Sequence, residues 1–390
     1  MAYDVAIIGG GLSGILTAIE SANLGMKVVL IDDAIPEASG SLGGFAKFSG
    51  AKFSHLPAGQ GLIPVAGGVR ILEDITTYVL NLLGLSGIAA SESSDLSVEG
   101  DGVSLRSYQS ILLTPSQVAD LVDRSEQALA GKVDLIKSRA LNIFASGDFV
   151  VDLTDHAQVR ARKVILATGR QGAKFALMIG AEEQDGRGID VGVRLDFPLV
   201  EPLSGLRKLG PDAKILYENS RTFCLNVPGR IYRYPLAGFS IPGGVVAEPE
   251  HTNSNVGLLT RLARKKSVLP EIMSRLEKLP AESMAHNPYK CGCGLGDKFS
   301  YAVTAFGESV VHELTEFMRL LHSKDLIDFD SSHAIHFPLL DWHWPTFALP
   351  GSHRTTVRNF YVAGDVAGHA RGLLQAGISG VLAAREASTE

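Results

Sequence analysis

The chain opens with an apolar strand that breaks into a glycine-rich turn and re-emerges as a helix. No other stretch restricts the possible folds as much. Asp4-Val-Ala-Ile-Ile8 runs into Gly9-Gly10-Gly11-Leu12-Ser13-Gly14, a G-x-G-x-x-G spacing. In a chain with 42 glycines that spacing alone would mean little, so its flanks decide its weight. Ala6, Ile7 and Ile8 form the short apolar run of a strand buried on both faces. Leu12, Ile15, Leu16 and Ile19 recur at helical spacing, which turns one helix face toward a sheet, and Gly25 closes that helix. The next strand, Lys27-Val-Val-Leu-Ile31, ends at Asp32, eighteen positions after Gly14. In such a βαβ unit the glycines let backbone approach a pyrophosphate, a helix N-terminus faces its charge, and a carboxylate accepts ribose hydroxyls. The ligand class specified is an adenine dinucleotide.

The chain has 390 residues, enough for one very large domain or two ordinary ones. Hydrophobic residues make up 45% and charged residues 20%, so a sizeable core is expected and disorder is not. A net charge of −6 carries no basic excess and argues against nucleic acid as the main partner. The three cysteines, Cys224, Cys291 and Cys293, imply no disulfide framework and suit a reducing cytoplasm. Met1-Ala-Tyr leads straight into the first strand, leaving no room for a signal peptide. No apolar stretch reaches about 18 residues, so no membrane span is expected. The most apolar run, Tyr78 to Ala90, reads as a packed helix end and loop, with a lipid-substrate patch as the alternative.

After Asp32 the segment Ser39-Gly-Ser-Leu-Gly43-Gly44-Phe45-Ala-Lys47-Phe-Ser49-Gly50 has the composition of a loop that wraps a ligand. Thr114-Pro115-Ser116 marks a helix start. Asp148–Leu153 and Gln158–Val164 read as strands, the second leading into Ala167-Thr168-Gly169. From about Gly188 the texture changes to a mostly antiparallel sheet, with strands expected at Asp190–Phe197, Arg221–Asn226 and Arg230–Tyr234. Helices are expected near Val256–Lys266, Pro270–Leu279 and Val303–His322. Nucleotide-fold texture returns at Tyr361-Val-Ala-Gly364-Asp365, followed by a helix carrying Leu373, Leu374, Ile378 and Leu382. The reading is an α/β protein. A Rossmann-like cofactor domain built on a parallel sheet, discontinuous over 1–185 and 345–390, surrounds an inserted, mostly antiparallel α+β substrate domain over 186–344.

The order of these motifs resembles the FAD-binding domain of two-domain flavoproteins: glycine loop with Asp32, then Ala-Thr-Gly, then a C-terminal Gly-Asp. That resemblance implies FAD as cofactor. It places the pyrophosphate on Gly9, Gly11, Leu12, Ser13 and Gly14, and the adenosine ribose on Asp32 with Asp33 beside it. Asp32 departs from the usual glutamate of such proteins by one methylene. The same resemblance brings Gly43, Gly44 and Phe45 of the wrap, and Ala167, Thr168 and Gly169, to the cofactor. Gly364 and Asp365 would take the ribityl chain, and Gly372, Leu373 and Leu374 the flavin end. Over Asp190-Val-Gly-Val-Arg194, Arg221-Thr-Phe-Cys224, Gly243-Gly-Val-Val246, Thr252-Asn-Ser-Asn255 and Ala370-Arg371-Gly372-Leu-Leu-Gln375, the chain also resembles the poorly characterised bacterial FAD-utilising dehydrogenases.

A flavin carries redox chemistry, and the protein positions substrate and tunes the ring. Arg371 is the candidate for charge at the flavin pyrimidine edge, or else a partner for a surface carboxylate. His55 is an acid–base candidate near neutral pH, with covalent attachment to FAD as the rarer alternative. Tyr232 and His369 are comparable candidates. Arg194 either binds an anionic substrate or fixes the domain interface. Lys47 and Lys52 read as phosphate contacts or solvated charges. Cys291-Gly-Cys293 reads as ordinary thiols in a glycine-rich loop, since C-x-C closes only a strained disulfide and three cysteines cannot ligate an iron–sulfur cluster. No metal site is expected. No second strand–G-x-G-x-x-G–helix argues for a dedicated NAD(P)H domain, though NAD(P)H or another electron partner could still reduce the flavin from the substrate side. The expected function is hydride transfer between flavin N5 and a small organic molecule. The alternatives are reduction of C=C bonds in a larger apolar substrate, or a non-redox FAD-binding role in RNA modification or sensing.

Overall fold

A computed structural model of the chain describes residues 2–34, 42–91, 102–186, 188–236, 239–263, 268–285, 289–342, 345–369 and 371–389. Five strands form a parallel sheet in the order Val133–Lys137, Val28–Asp32, Tyr3–Ile8, Gln158–Leu166, Phe360–Val362. Asp148–Leu153 and Ala140–Ser146 extend the sheet antiparallel alongside the first half of Gln158–Leu166. Successive residues of one strand point to opposite faces. Val5 and Ile7 therefore join a core with the helices Leu12–Asn23, Val69–Leu82 and Leu373–Thr389, while Ala6 and Ile8 join one with the antiparallel meander. The strand Phe360–Val362 and the last helix complete the sheet and core begun at residue 3, so the unit is discontinuous in sequence.

A second, antiparallel sheet runs Ala334–Trp342, Ile189–Phe197, Ser254–Ala263, Ser220–Asn226, Lys214–Tyr217, Val103–Arg106. Its last strand comes from before residue 185, so the N-terminal segment lends one strand to the sheet of the middle region. A hairpin, Gly229–Leu236 with Phe239–Val246, folds from this region toward the glycine loop. Its Val246 N–H donates to the Ser49 carbonyl at 2.9 Å.

Two helices expected from periodicity are different in the structure. Ser254–Ala263 is a strand, not the start of a helix, and 264–267 lie outside the described residues. It sits between two other strands and is buried on both faces. Apolar periodicity then cannot separate helix from strand. The expected helix Val303–His322 is two helices, Phe299–Phe306 and Glu308–Ser323, divided at Gly307, whose φ of +92° suits glycine. The helix Pro115–Gln127 begins as expected, with Thr114 and Gln117 forming a reciprocal capping box. Val79, Leu80, Leu83 and Leu85 of the apolar run are core residues, as in its reading as a packed helix end, while Ile88 beyond them is 42% exposed.

Candidate functional site

The three sequence motifs converge on one cradle. A Cβ on Gly9 would lie 2.7 Å from the backbone carbonyl of Ala167, and a Cβ on Gly14 1.8 Å from the Gly9 oxygen. Gly364, at φ +74°, would place a Cβ 2.9 Å from Cβ of Ser13. Three loops distant in sequence thus touch only because glycine stands at each contact. Gly11, by contrast, faces open space at the start of the helix Leu12–Asn23, which has no side-chain cap. Its first-turn N–H groups are available to an anion. Ser13 Oγ and Thr168 Oγ1 are buried without a hydrogen-bond partner, and both belong to this cradle. Buried hydroxyls are rarely left so, and a phosphate- and hydroxyl-rich ligand fits them.

Asp32 accepts the Gly10 N–H at 2.5 Å and the Ala34 N–H at 2.7 Å. Burial raises its carboxyl above the usual range, and these two amides oppose the shift. Asp33 instead turns outward to Arg139, 2.5 Å away. In the wrap, Gly43 donates to the Gly10 carbonyl at 2.8 Å and pairs with Gly11 as a β-bridge, so its backbone lies on the glycine loop. Residues 39–41 lie outside the described residues. Leu12 and Leu374 bury their side chains in the core, leaving only backbone to a ligand. Gln375 donates to the carbonyls of Ser54 and Ala58 at 2.8 and 3.3 Å, which ties the loop carrying His55 to the start of the last helix beyond Gly372 and Leu373. Burial lowers the half-buried His55 imidazole, so it is neutral near pH 7.

Tyr232 and Tyr234 lie on one face of the hairpin. Tyr232 stacks on Phe48 at 4.3 Å, and Tyr234 meets the edge of Phe45 at 5.3 Å. Phe45 itself is 56% exposed. The Tyr234 phenol is raised by burial, while Arg170 and Arg194 pull it the other way. Sequence reading missed Tyr234, although its two-residue spacing from Tyr232 was a usable signal.

Asp365 lies where three chain segments meet. Arg170 Nε donates to one of its oxygens at 2.8 Å and Arg371 Nε to the other at 2.9 Å. Both arginines also reach Asp341 and the Trp342 carbonyl. Arg371 is thus bound to two carboxylates, Asp365 and Asp341. Arg170 was missed, although it directly follows Ala167-Thr168-Gly169. Arg194 is 1% exposed and donates to Asn255 Oδ1 at 2.9 Å and the Cys224 carbonyl at 3.1 Å, so it pins strands together inside the second sheet. Lys52 bonds to Asp212 at 3.3 Å and to the Leu225 carbonyl, which makes it a link to the second sheet. His369 bonds through Nε2 to the Ser352 carbonyl at 2.9 Å.

Cys291 and Cys293 are free thiols lining a cavity of about 190 Å³ with Lys290, His333 and Ile335. Burial pushes the Cys293 thiol up. Among the described residues, no group of three His, Cys, Asp or Glu is placed to hold a metal ion. No described helix is long and apolar enough to cross a membrane.

Residues 4–53 match the family model described as glucose inhibited division protein A. No curated protein matches the chain. Among solved structures, a geranylgeranyl bacteriochlorophyll reductase-like protein from Thermoplasma acidophilum is 14% identical, covering 100% of this chain and 78% of its own, with a TM-score of 0.48. A glycine oxidase from Geobacillus kaustophilus is 15% identical over 100% of this chain and 95% of its own, with a TM-score of 0.46. A flavoprotein/dehydrogenase from Cytophaga hutchinsonii is 14% identical over 99% and 78%, with a TM-score of 0.46. The family match falls on the glycine loop and Asp32, and with the sheet order and the three converging motifs it gives this chain a Rossmann-like α/β fold around that loop.

Proposed function

We propose that the chain is an FAD-dependent oxidoreductase that exchanges a hydride with a small organic substrate lying between the cofactor and the hairpin Gly229–Val246. The observation that carries this reading is the meeting of Gly9–Gly14, Thr168 and Gly364–Asp365 in one cradle, with Ser13 and Thr168 hydroxyls left for a ligand. The first-turn amides from Leu12 to Gly14 would hold the pyrophosphate, Asp32 the adenosine ribose, and Asp365 the ribityl hydroxyls. FAD supplies two-electron chemistry, with hydride accepted or given at flavin N5. Arg371 and Arg170 place two guanidinium charges beside the ribityl-site Asp365. Tyr234, whose phenol burial raises, would give its proton to the substrate atom next to the carbon that gains hydride when FAD is bound. Residues 1–185 with 345–390 act as the cofactor unit, apart from the strand Val103–Arg106 lent to the second sheet, 186–344 act as the substrate unit, and a nicotinamide or another electron carrier completes the cycle.

The test is anaerobic bleaching of the purified yellow protein against a metabolite panel that includes NADH and NADPH. Loss of flavin absorbance with one metabolite or nicotinamide is the expected result. Bound FAD that nothing in the panel reduces would move the protein to a non-redox role.

A further inference from the structure

We propose that Asp341, on the edge strand of the second sheet, is a positioning residue for the cofactor turn. It holds Arg170 and Arg371 on Asp365, and so sets how tightly FAD binds and how easily it is reduced. The inference rests on the FAD reading and adds a residue that no motif marks.

Asp341 and Asp190 stand directly opposite each other on neighbouring antiparallel strands, and both are buried. Like charges so placed oppose strand pairing, and buried ionic groups are poor stabilisers compared with apolar packing. Stability alone therefore gives no reason for this pair of carboxylates, but what they hold does. Arg221 Nη2 bridges them, at 2.8 Å from Asp190 and 2.7 Å from Asp341. Arg261 secures Asp190 from the far side. The other oxygen of Asp341 accepts from Arg170 at 3.3 Å and from Arg371. Each of these arginines then uses Nε on a different oxygen of Asp365.

The result is one line of alternating charge from the middle of the second sheet to the turn at Gly364–Asp365. Two guanidinium groups fix the plane of the Asp365 carboxylate, and each oxygen keeps a second lone pair for a cofactor hydroxyl. Asp341 anchors both guanidiniums at once. Its negative charge also offsets part of theirs beside the flavin site, where a reduced ring gains negative charge.

The test is FAD titration by fluorescence, and redox titration, of the holoprotein carrying Asp341→Asn. FAD dissociation is expected to rise at least tenfold. Reduced FAD is expected to gain up to tenfold over oxidised FAD, a positive shift of about 30 mV for two electrons. In a chain already carrying Arg170→Gln and Arg371→Gln, Asp341→Asn is expected to add nothing. Wild-type affinity and potential in Asp341→Asn overturn the proposal, and so does an equal effect in the arginine-less background. If Asp341→Asn does not fold, Arg221→Gln tests the same axis from outside the cofactor turn, and unchanged affinity and potential there overturn it too. A wild-type protein that binds no FAD overturns the cofactor reading instead.

Discussion

A methyl group on Gly14 would sit 1.8 Å from the Gly9 carbonyl oxygen, a contact relieved only by moving the loop off its helix. Gly14→Ala is therefore expected to lower the Tm of the apoprotein by several degrees and to weaken FAD by more than tenfold, read by differential scanning calorimetry and fluorescence titration. Gly11→Ala is the control for Tm alone, since its Cβ meets no atom of the chain. At Tyr234 the expectation is different. Tyr234→Phe should leave FAD affinity unchanged while the rate of the half-reaction that protonates substrate falls about 100-fold, measured by stopped flow. Unchanged rates would leave Tyr234 as a packing partner of Phe45. The residues legible in the sequence were those whose role is local: Gly9, Gly14, Asp32 and Gly364 do their work within a few positions of a strand end. Tyr234, Arg170 and Asp341 acquire a role only when the hairpin, the Ala-Thr-Gly turn and the edge strand are brought together. For Asp341 nothing nearby in sequence announces that meeting, while Tyr234 and Arg170 carry only the faint signals of their spacing from Tyr232 and from Ala167-Thr168-Gly169.

The turn Gly364–Ala367 is fixed by a buried relay at the level of elements. His353 Nε2 bonds to Ser379 Oγ of the last helix at 2.7 Å, and that hydroxyl accepts the Gly364 N–H at 2.8 Å. Burial, with His369 nearby, pushes His353 down to about 3 from its ordinary 6.5. A depressed histidine binds its proton more readily in the unfolded chain. Its contribution to stability is complete above pH 6.5 and is lost as pH falls toward 3. Roughly 5 kcal/mol is at stake, at about 1.4 kcal/mol per pH unit. His353→Gln is expected to flatten the fall of Tm between pH 6.5 and 4, and an identical slope in both proteins would remove His353 from that role. Among the elements, surface helices were legible because one face is wet and the other dry, and the first βαβ unit because its glycine spacing marks the turn between a buried strand and a buried helix. Ser254–Ala263 was not, because a strand flanked on both edges and buried on both faces has no period to read. The break at Gly307 was hidden because the apolar stripe continues across it.

At the scale of the whole molecule, partly buried links join the two sheets. Lys52 and Ser54, on a short strand beside the wrap, grip Asp212 of the second unit. Burial alone would raise the Asp212 carboxyl, yet Lys52 and Lys214 hold it below the usual range. Lys52→Met leaves that carboxylate without its main partner and is expected to cost about 3 kcal/mol, seen as a lower denaturation midpoint at pH 7. Because a depressed carboxyl stabilises above its ordinary pKa, the difference between the two proteins should shrink as pH falls below about 4. A constant difference at all pH values would assign the cost to lost packing. The discontinuous cofactor unit has one more consequence, and it concerns time. The glycine loop leaves the ribosome well before Gly364 and the helix Leu373–Thr389 that close over it. Until those later residues are made, the first βαβ unit must wait with part of its apolar helix face uncovered.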